Sequence, residues 1–310
     1  MTMAAWEAND RLDDHFQQPR FLIWGGNGWI AGQLKRLLEE QGKEVHTTTI
    51  RMENREAVLS ELFLIRPTHV LNAAGCTGRP NVDWCEDNKS QTVRSNVIGT
   101  LNLADACFQA KIHCTIFATG CVYQYDQTHP IGGRGYTEED RPNFEGSFYS
   151  LTKSHVEPAS QILSSYSNCL ILRLRMPVSD DLHPRNFVTK LLGYERVVDI
   201  PNSNTMLHDL LPASIILAEH GETGVYNFTN PGSISHNEVL KLFKEIVRPE
   251  FSWKNFTLEE QAKVIKAGRS NCTLDTTKLV AKLGEYKYGI SEIHEAYKRC
   301  FKRMKAAGIK

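Results

Sequence analysis

The sequence predicts an α/β protein, a doubly wound parallel sheet followed by a smaller C-terminal α/β domain. Three observations carry that expectation. Short β-branched runs alternate with stretches of helical spacing through the first half of the chain. A glycine cluster, Gly25-Gly26-Asn27-Gly28, separates the first such run from the first helical stretch. Past Arg175 the rhythm breaks: Pro177, Pro184, Pro201, Pro212 and Pro231 punctuate short elements, and roughly the last sixty residues read as helical. The chain therefore divides into a flexible tail over 1–19, a first α/β domain over 20–175 and a smaller second domain over 176–310.

Each element follows from its residues. Arg20–Trp24 is a short apolar strand. Ile30, Leu34, Leu37 and Leu38 give the next stretch a helical face, and Gly42 stands where a C-cap belongs. Glu44–Thr49 is β-branched and reads as a strand. Glu53–Ile65 is helical, and Pro67 ends it. His69–Asn72 is a third strand. Trp84–Ala110 is expected to be helical, with Val93, Val97, Leu101 and Ala104 on one face. Cys114–Ala118 is a continuous apolar run, as a strand buried on both faces should be. A long loop over Asp126–Phe144, a helix running from Phe148 to about Ser164 and a strand over Cys169–Leu174 complete the first domain.

Composition narrows the function. Acidic and basic residues balance at 36 each, which gives no electrostatic footprint for nucleic acid or an anionic membrane. No apolar run is long enough to span a bilayer, and the polar N-terminus lacks a signal-peptide core. The eight cysteines contain no CxxC pair and no neighbouring histidine cluster, so neither a metal site nor a disulfide framework is expected. Reduced thiols in the cytoplasm fit best.

Gly26-x-Gly28-x-x-Ala31, or equally Gly25-x-x-Gly28-x-x-Ala31, matches the dinucleotide fingerprint of a Rossmann-type fold. It lies in the required context, after a strand and at the start of a helix. Gly25, Asn27, Gly28, Trp29 and Ile30 are then the residues next to a pyrophosphate. At the end of the second strand, where an acidic residue would hold a ribose 2′-hydroxyl, stand Thr47-Thr48-Thr49-Ile50-Arg51. An arginine there can pair with a 2′-phosphate, which favours NADP(H) over NAD(H), with NADH the weaker ligand. Downstream, Thr119 brings a hydroxyl and Cys121 a thiol to the end of the central strand. Tyr149 and Lys153 sit one helical turn apart, a phenol beside an ammonium that can move a proton near a carbonyl.

Together Gly25-x-x-Gly28, Asn72-Ala73-Ala74-Gly75, Asn96-Val97, Thr119 and Tyr149-x-x-x-Lys153 resemble an extended short-chain dehydrogenase/reductase. Longer stretches narrow the likeness: 72–85, 118–121, 185–190, 198–203, 226–232 and 253–262. From about Phe21 to about Leu279 the chain resembles the nucleotide-rhamnose synthase (epimerase-reductase) family, relatives of dTDP-4-keto-rhamnose reductase and GDP-fucose synthase. The resemblance implies 3,5-epimerisation of UDP-4-keto-6-deoxy-glucose, or its dTDP counterpart, followed by NADPH reduction to UDP-L-rhamnose. It makes Tyr149 the proton donor, its pKa lowered by Lys153, which also binds the nicotinamide ribose. Thr119 holds the substrate oxygen, and Cys121 and Lys190 form the epimerisation acid/base pair. It adds Asn72, Ala73, Ala74 and Asn96 to the cofactor site, and Thr77, Arg79, Tyr123, Asn186 and Arg269 to the substrate site. A homodimer is expected from relatives. The rival readings are a 4-keto-sugar reductase without epimerase activity and a regulatory subunit like that of methionine adenosyltransferase. The remaining cysteines, Cys85 among them, are read as small core residues.

Overall fold

The computed structural model describes residues 18–163 and 168–309; the expected tail lies almost wholly outside the described residues. In chain order the elements are β1 (Arg20–Trp24), α1 (Trp29–Glu40), β2 (Glu44–Thr48), α2 (Arg55–Ile65), β3 (His69–Asn72), α3 (Trp84–Asp87) and α4 (Lys89–Val93). A π-helical turn over Arg94–Gly99 leads into α5 (Thr100–Gln109) and β4 (His113–Thr119). Then come α6 (Phe148–Leu163), β5 (Cys169–Leu174), α7 (Phe187–Leu192), β6 (Arg196–Val197), β7 (Pro201–Asn202), α8 (Leu207–Glu219) and β8 (Gly224–Asn227). The chain finishes with β9 (Ile234–Ser235), α9 (His236–Ile246), β10 (Lys254–Asn255), α10 (Leu258–Ala262), α11 (Thr277–Glu285) and α12 (Ile293–Ala306).

Six strands form one parallel sheet in the order β2-β1-β3-β4-β5-β8. The order reverses direction at β1 and β3, the switch point at which such sheets bind ligands beyond their carboxyl ends. The register brings the strand ends together. Trp24 pairs with Asn72, Asn72 with Ile116, and Thr119 with Leu174. The turns that follow β1, β3, β4 and β5 therefore open onto one edge.

Apolar residues alternate across this sheet. Phe21, Ile23, Leu71 and Leu172 face α1, α8 and α11, whereas Leu22, Val70, Cys114 and Ile171 face α2 and α5. On α1 the spacing of Ala31, Leu34 and Leu38 supplies the buried stripe. Each of those leucines contributes about 1.5–3 kcal/mol by leaving water. A separate core gathers α7, α9 and α12 around Phe243, Tyr297 and Phe301.

Two local outcomes differ from the sequence expectation. The stretch over 84–110 is not one helix: it breaks at Asn88, whose side chain donates to the Trp84 carbonyl, and then widens into the π turn. Gly99 lies against Met52 and the Arg94 carbonyl, at 3.0 and 3.2 Å from where a Cβ would stand, and so lets the wide turn pack closely. The division at 175 is also crossed, because β8 and α8 return from the second half to extend and cover the main sheet.

Candidate active site

The glycine turn fits a dinucleotide. Gly25 takes a φ of +83°, and a Cβ there would stand 2.9 Å from the backbone of Ala74. Only glycine permits that approach of β1 to the loop after β3. The Gly25 and Gly26 amides both donate to the Thr48 carbonyl, at 3.1 and 2.9 Å, which sets the turn against the end of β2. No side chain caps α1 at Gly28, and no acidic residue occupies its first turn, so that end of the helix suits an anion. Arg51 is exposed just beyond β2, paired with Glu53 at 3.0 Å.

Around Tyr149 three elements converge. A Cβ on Gly75 would stand 3.7 Å from Lys153 Nζ and 3.8 Å from Asn96 Oδ1. Asn96, fully buried in the π turn, accepts from the Cys76 amide (2.8 Å) and donates to the Cys76 carbonyl (2.9 Å). It therefore clamps the 73–76 loop beside Lys153. Asn72 likewise fixes that loop by accepting from the Ala74 amide at 3.1 Å. Ser150 Oγ donates to the Cys121 carbonyl (2.7 Å) and Thr119 Oγ1 accepts from the Cys121 amide (3.1 Å), so Cys121 is tied to both β4 and α6.

The electrostatics are those of a shielded site. Tyr149 is buried, which pushes its phenol well above the ordinary tyrosine value; the thiol of Cys121 adds to the rise, and a hydrogen bond with Thr119 opposes it. Desolvation of a phenolate is the largest of these influences. Lys190, half-buried on α7, is shifted down, first by burial, then by the charges of Arg185 and Arg269, with Cys121 acting the other way. Cys121 is thus felt at both Tyr149 and Lys190.

The substrate-side residues sort into two groups. Thr77 accepts from Arg185 Nη1 at 2.6 Å, Arg79 is exposed at the rim, and Arg269 is paired with Asp83 at 2.9 Å. Two expected substrate contacts have structural duties instead. Tyr123 is wholly buried, stacked on Tyr136, with its hydroxyl donating to the Asp140 carbonyl at 2.8 Å. Asn186 is also wholly buried; its Oδ1 caps α7 at Val188 N (3.1 Å), and its Nδ2 donates to the Ser179 and Asp181 carbonyls. It positions Lys190 from beneath.

Sequence reasoning missed Arg185 and Cys76. Arg185 bridges Thr77 Oγ1 and the Gly78 carbonyl, both at 2.6 Å, and joins the two halves of the cleft. The run Arg185–Lys190 was itself a recognised stretch, so the signal was present. Cys76 is a partly buried thiol held below the ordinary value by the buried thiol of Cys85. Their pairing across the 76–85 loop has no signature in spacing.

Comparison with known proteins places the chain in a family and a fold. Residues 19–302 match the family model described as the RmlD substrate binding domain. A bifunctional dTDP-4-dehydrorhamnose 3,5-epimerase/reductase of Arabidopsis thaliana is 54% identical over 86% of this chain and 88% of its own length. A trifunctional UDP-glucose 4,6-dehydratase/3,5-epimerase/reductase of the same plant is 52% identical over 84% of this chain, which spans only 39% of that longer protein. Among solved structures, the L780 UDP-rhamnose synthase of Acanthamoeba polyphaga mimivirus superposes with a TM-score of 0.87 at 35% identity, covering 93% of this chain and 100% of that one. The NADP complex of a dTDP-4-dehydrorhamnose reductase from Bacillus anthracis shares the fold, with a TM-score of 0.78 at 22% identity over 92% and 99% of the two chains.

Proposed function

The chain belongs to the RmlD substrate-binding domain family, and from that premise we propose that it is a bifunctional 3,5-epimerase/4-reductase. It converts UDP-4-keto-6-deoxy-D-glucose, with the dTDP sugar as the alternative substrate, to the corresponding L-rhamnose nucleotide. The observation that supports the reading is Cys121, whose backbone is tied to Ser150 on α6 and to Thr119 on β4 and whose charge bears on both Tyr149 and Lys190. One cleft then holds a ketone-oxygen donor and two further groups able to take or give protons at carbon.

Protons at C3 and C5 are acidic because the C4 ketone lies between them. Tyr149 and Thr119 hydrogen-bond the ketone oxygen and stabilise the enolate that forms on removing either proton. Cys121 and Lys190 act on opposite faces of the ring, one removing the proton and the other returning it. The downward shift of Lys190 keeps a share of it neutral, and so able to act as a base, nearer to neutral pH than an ordinary lysine. In the second half-reaction NADPH supplies hydride to C4. Tyr149, kept protonated by burial, gives its proton to the developing alkoxide, while Lys153 holds the nicotinamide ribose. Arg51 takes the 2′-phosphate, releasing Glu53 as its partner. We place the enzyme in the cytoplasm, where its eight unpaired thiols stay reduced, and expect a homodimer as its assembly.

The test is solvent labelling. In deuterated water the product should carry deuterium at C3 and C5. Cys121→Ser and Lys190→Ala should lose most of that label yet still oxidise NADPH when given an already epimerised 4-keto sugar. Full labelling at both carbons in each variant would move the acid and base elsewhere, with Cys85 next to be tested.

A further inference from the structure

The loop that joins β5 to α7 touches the dinucleotide turn and the Lys190 helix at once. Trp29, the first residue of α1, donates its indole N–H to Asp181 Oδ2 at 2.8 Å. The same indole lies flat against the His183 imidazole, with ring centres 5.3 Å apart and planes within 3°. Asp181 Oδ1 accepts from the His183 amide at 2.9 Å, so the two side chains are set by one turn. On its other side the Asp181 carbonyl accepts from Asn186 Nδ2 at 2.7 Å, and Asn186 Oδ1 caps the helix that carries Lys190. Arg185 continues the loop into Thr77 and Gly78. The preceding residue, Asp180, is anchored the opposite way, accepting from Arg303 Nε (2.9 Å) and lying 3.1 Å from His208 Nε2. A cavity of about 300 Å³ opens at the clasp, lined by Asn27, Gln33 and Arg36 together with Trp29, Asp181 and His183.

We propose that Asp181 and His183 are positioning residues that lock the dinucleotide turn, through Trp29, to the helix presenting Lys190, so that a bound dinucleotide raises the rate of proton exchange at C3 and C5. The physical reasoning is short. A pyrophosphate at the N-terminus of α1 fixes the backbone of Trp29. The indole can then hold Asp181 only where the Asn186 cap and Lys190 are in register with Cys121. With the turn empty, Trp29 is held only by the first turn of α1 and by its side-chain contacts. The loop and Lys190 then sample positions less suited to the ring. By reciprocity, loosening the clasp weakens dinucleotide binding. The inference rests on the proposed roles of Cys121 and Lys190 and adds to them a reason for the two half-reactions to share one chain.

The experiment uses the full chain, NADP⁺ as a dinucleotide that cannot donate hydride, and the 4-keto sugar in deuterated water. Wild type should exchange C3 and C5 protons faster with saturating NADP⁺ than without it. Asp181→Ala should raise the dissociation constant for NADP⁺ by about tenfold, the effect of losing one hydrogen bond to a charged group, and His183→Ala by about threefold to tenfold, the effect of losing the stacked ring. They should also bring the exchange rates with and without NADP⁺ together. Asp181→Asn, which keeps an acceptor for the indole, and His183→Phe, which keeps the stacked ring, should restore both properties. Unaltered NADP⁺ affinity in both alanine variants overturns the clasp. Wild-type exchange that ignores NADP⁺ overturns the coupling while leaving the proposed reaction standing. Absence of any exchange in the wild type overturns the proposed reaction and the coupling together.

Discussion

Acid should unfold this protein partly through His236, the first residue of α9, packed on Phe187 at the start of the Lys190 helix. Neither ring nitrogen makes a hydrogen bond of good geometry, and burial lowers the imidazole from its ordinary 6.5 to about 4, with Asp199 and the Val198 carbonyl opposing only in part. In the unfolded chain the group titrates near 6.5. Between those two values the unfolded state binds a proton that the folded state refuses, so stability is intact above 6.5 and falls as pH drops toward 4. Below the folded value both states carry the proton, and no further loss comes from this residue. At about pH 5 the loss is about 2 kcal/mol, taking about 1.4 kcal/mol for each pH unit below the unfolded value. His236→Phe removes the titration while keeping the ring against Phe187. Urea unfolding of wild type and variant at about pH 7 and about pH 5 reads the difference directly. The variant should lose about 2 kcal/mol less between the two conditions. Equal losses would show that the folded state accepts the proton at His236, and would refute the reasoning.

Three further outcomes are expected. Tyr149→Phe should abolish ketone reduction while NADPH still binds, since the phenol is the proton donor and Lys153 holds the ribose independently; stopped-flow reduction and cofactor titration separate the two, and near-normal turnover would refute the assignment. Arg51→Asp should narrow or reverse the preference for NADPH over NADH by about tenfold or more, from loss of a charge-assisted pair worth about 1.5–3 kcal/mol; an unchanged ratio of specificity constants would remove Arg51 from the cofactor site. Arg175→Met should destabilise the fold by about 1–3 kcal/mol for each buried acceptor that it orphans. Its guanidinium is wholly buried and donates to the Gly120 carbonyl, Ser270 and Asn202, so removing it orphans buried acceptors next to Cys121. Denaturant unfolding measures that loss, and a change below about 1 kcal/mol would mean that water replaces the guanidinium.

By itself the sequence determined everything governed by local chemistry and period. The β-branched runs became the first five strands of the sheet because alternation and continuous apolarity leave few other ways to bury them. The glycine turn was legible because only glycine tolerates the φ at Gly25 and the close approach of Ala74. Tyr149 and Lys153 were legible because a four-residue step returns to the same helix face. What only the tertiary structure decided are the properties set by partners distant in the chain. Burial is the dominant influence on the Tyr149 phenol, and burial is not a property of any local stretch. Tyr123 and Asn186 lie in or beside motifs of the site yet are consumed by the Asp140 carbonyl and the α7 cap. The break at Asn88 and the π turn let Asn96 grip Cys76, twenty residues earlier in the chain. The return of Gly224–Asn227 as the sheet's sixth strand beside β5 breaches a boundary that composition alone would draw at Arg175. Strand pairing is chosen by the exposed edge of a sheet already formed, and that edge exists only once the chain has folded.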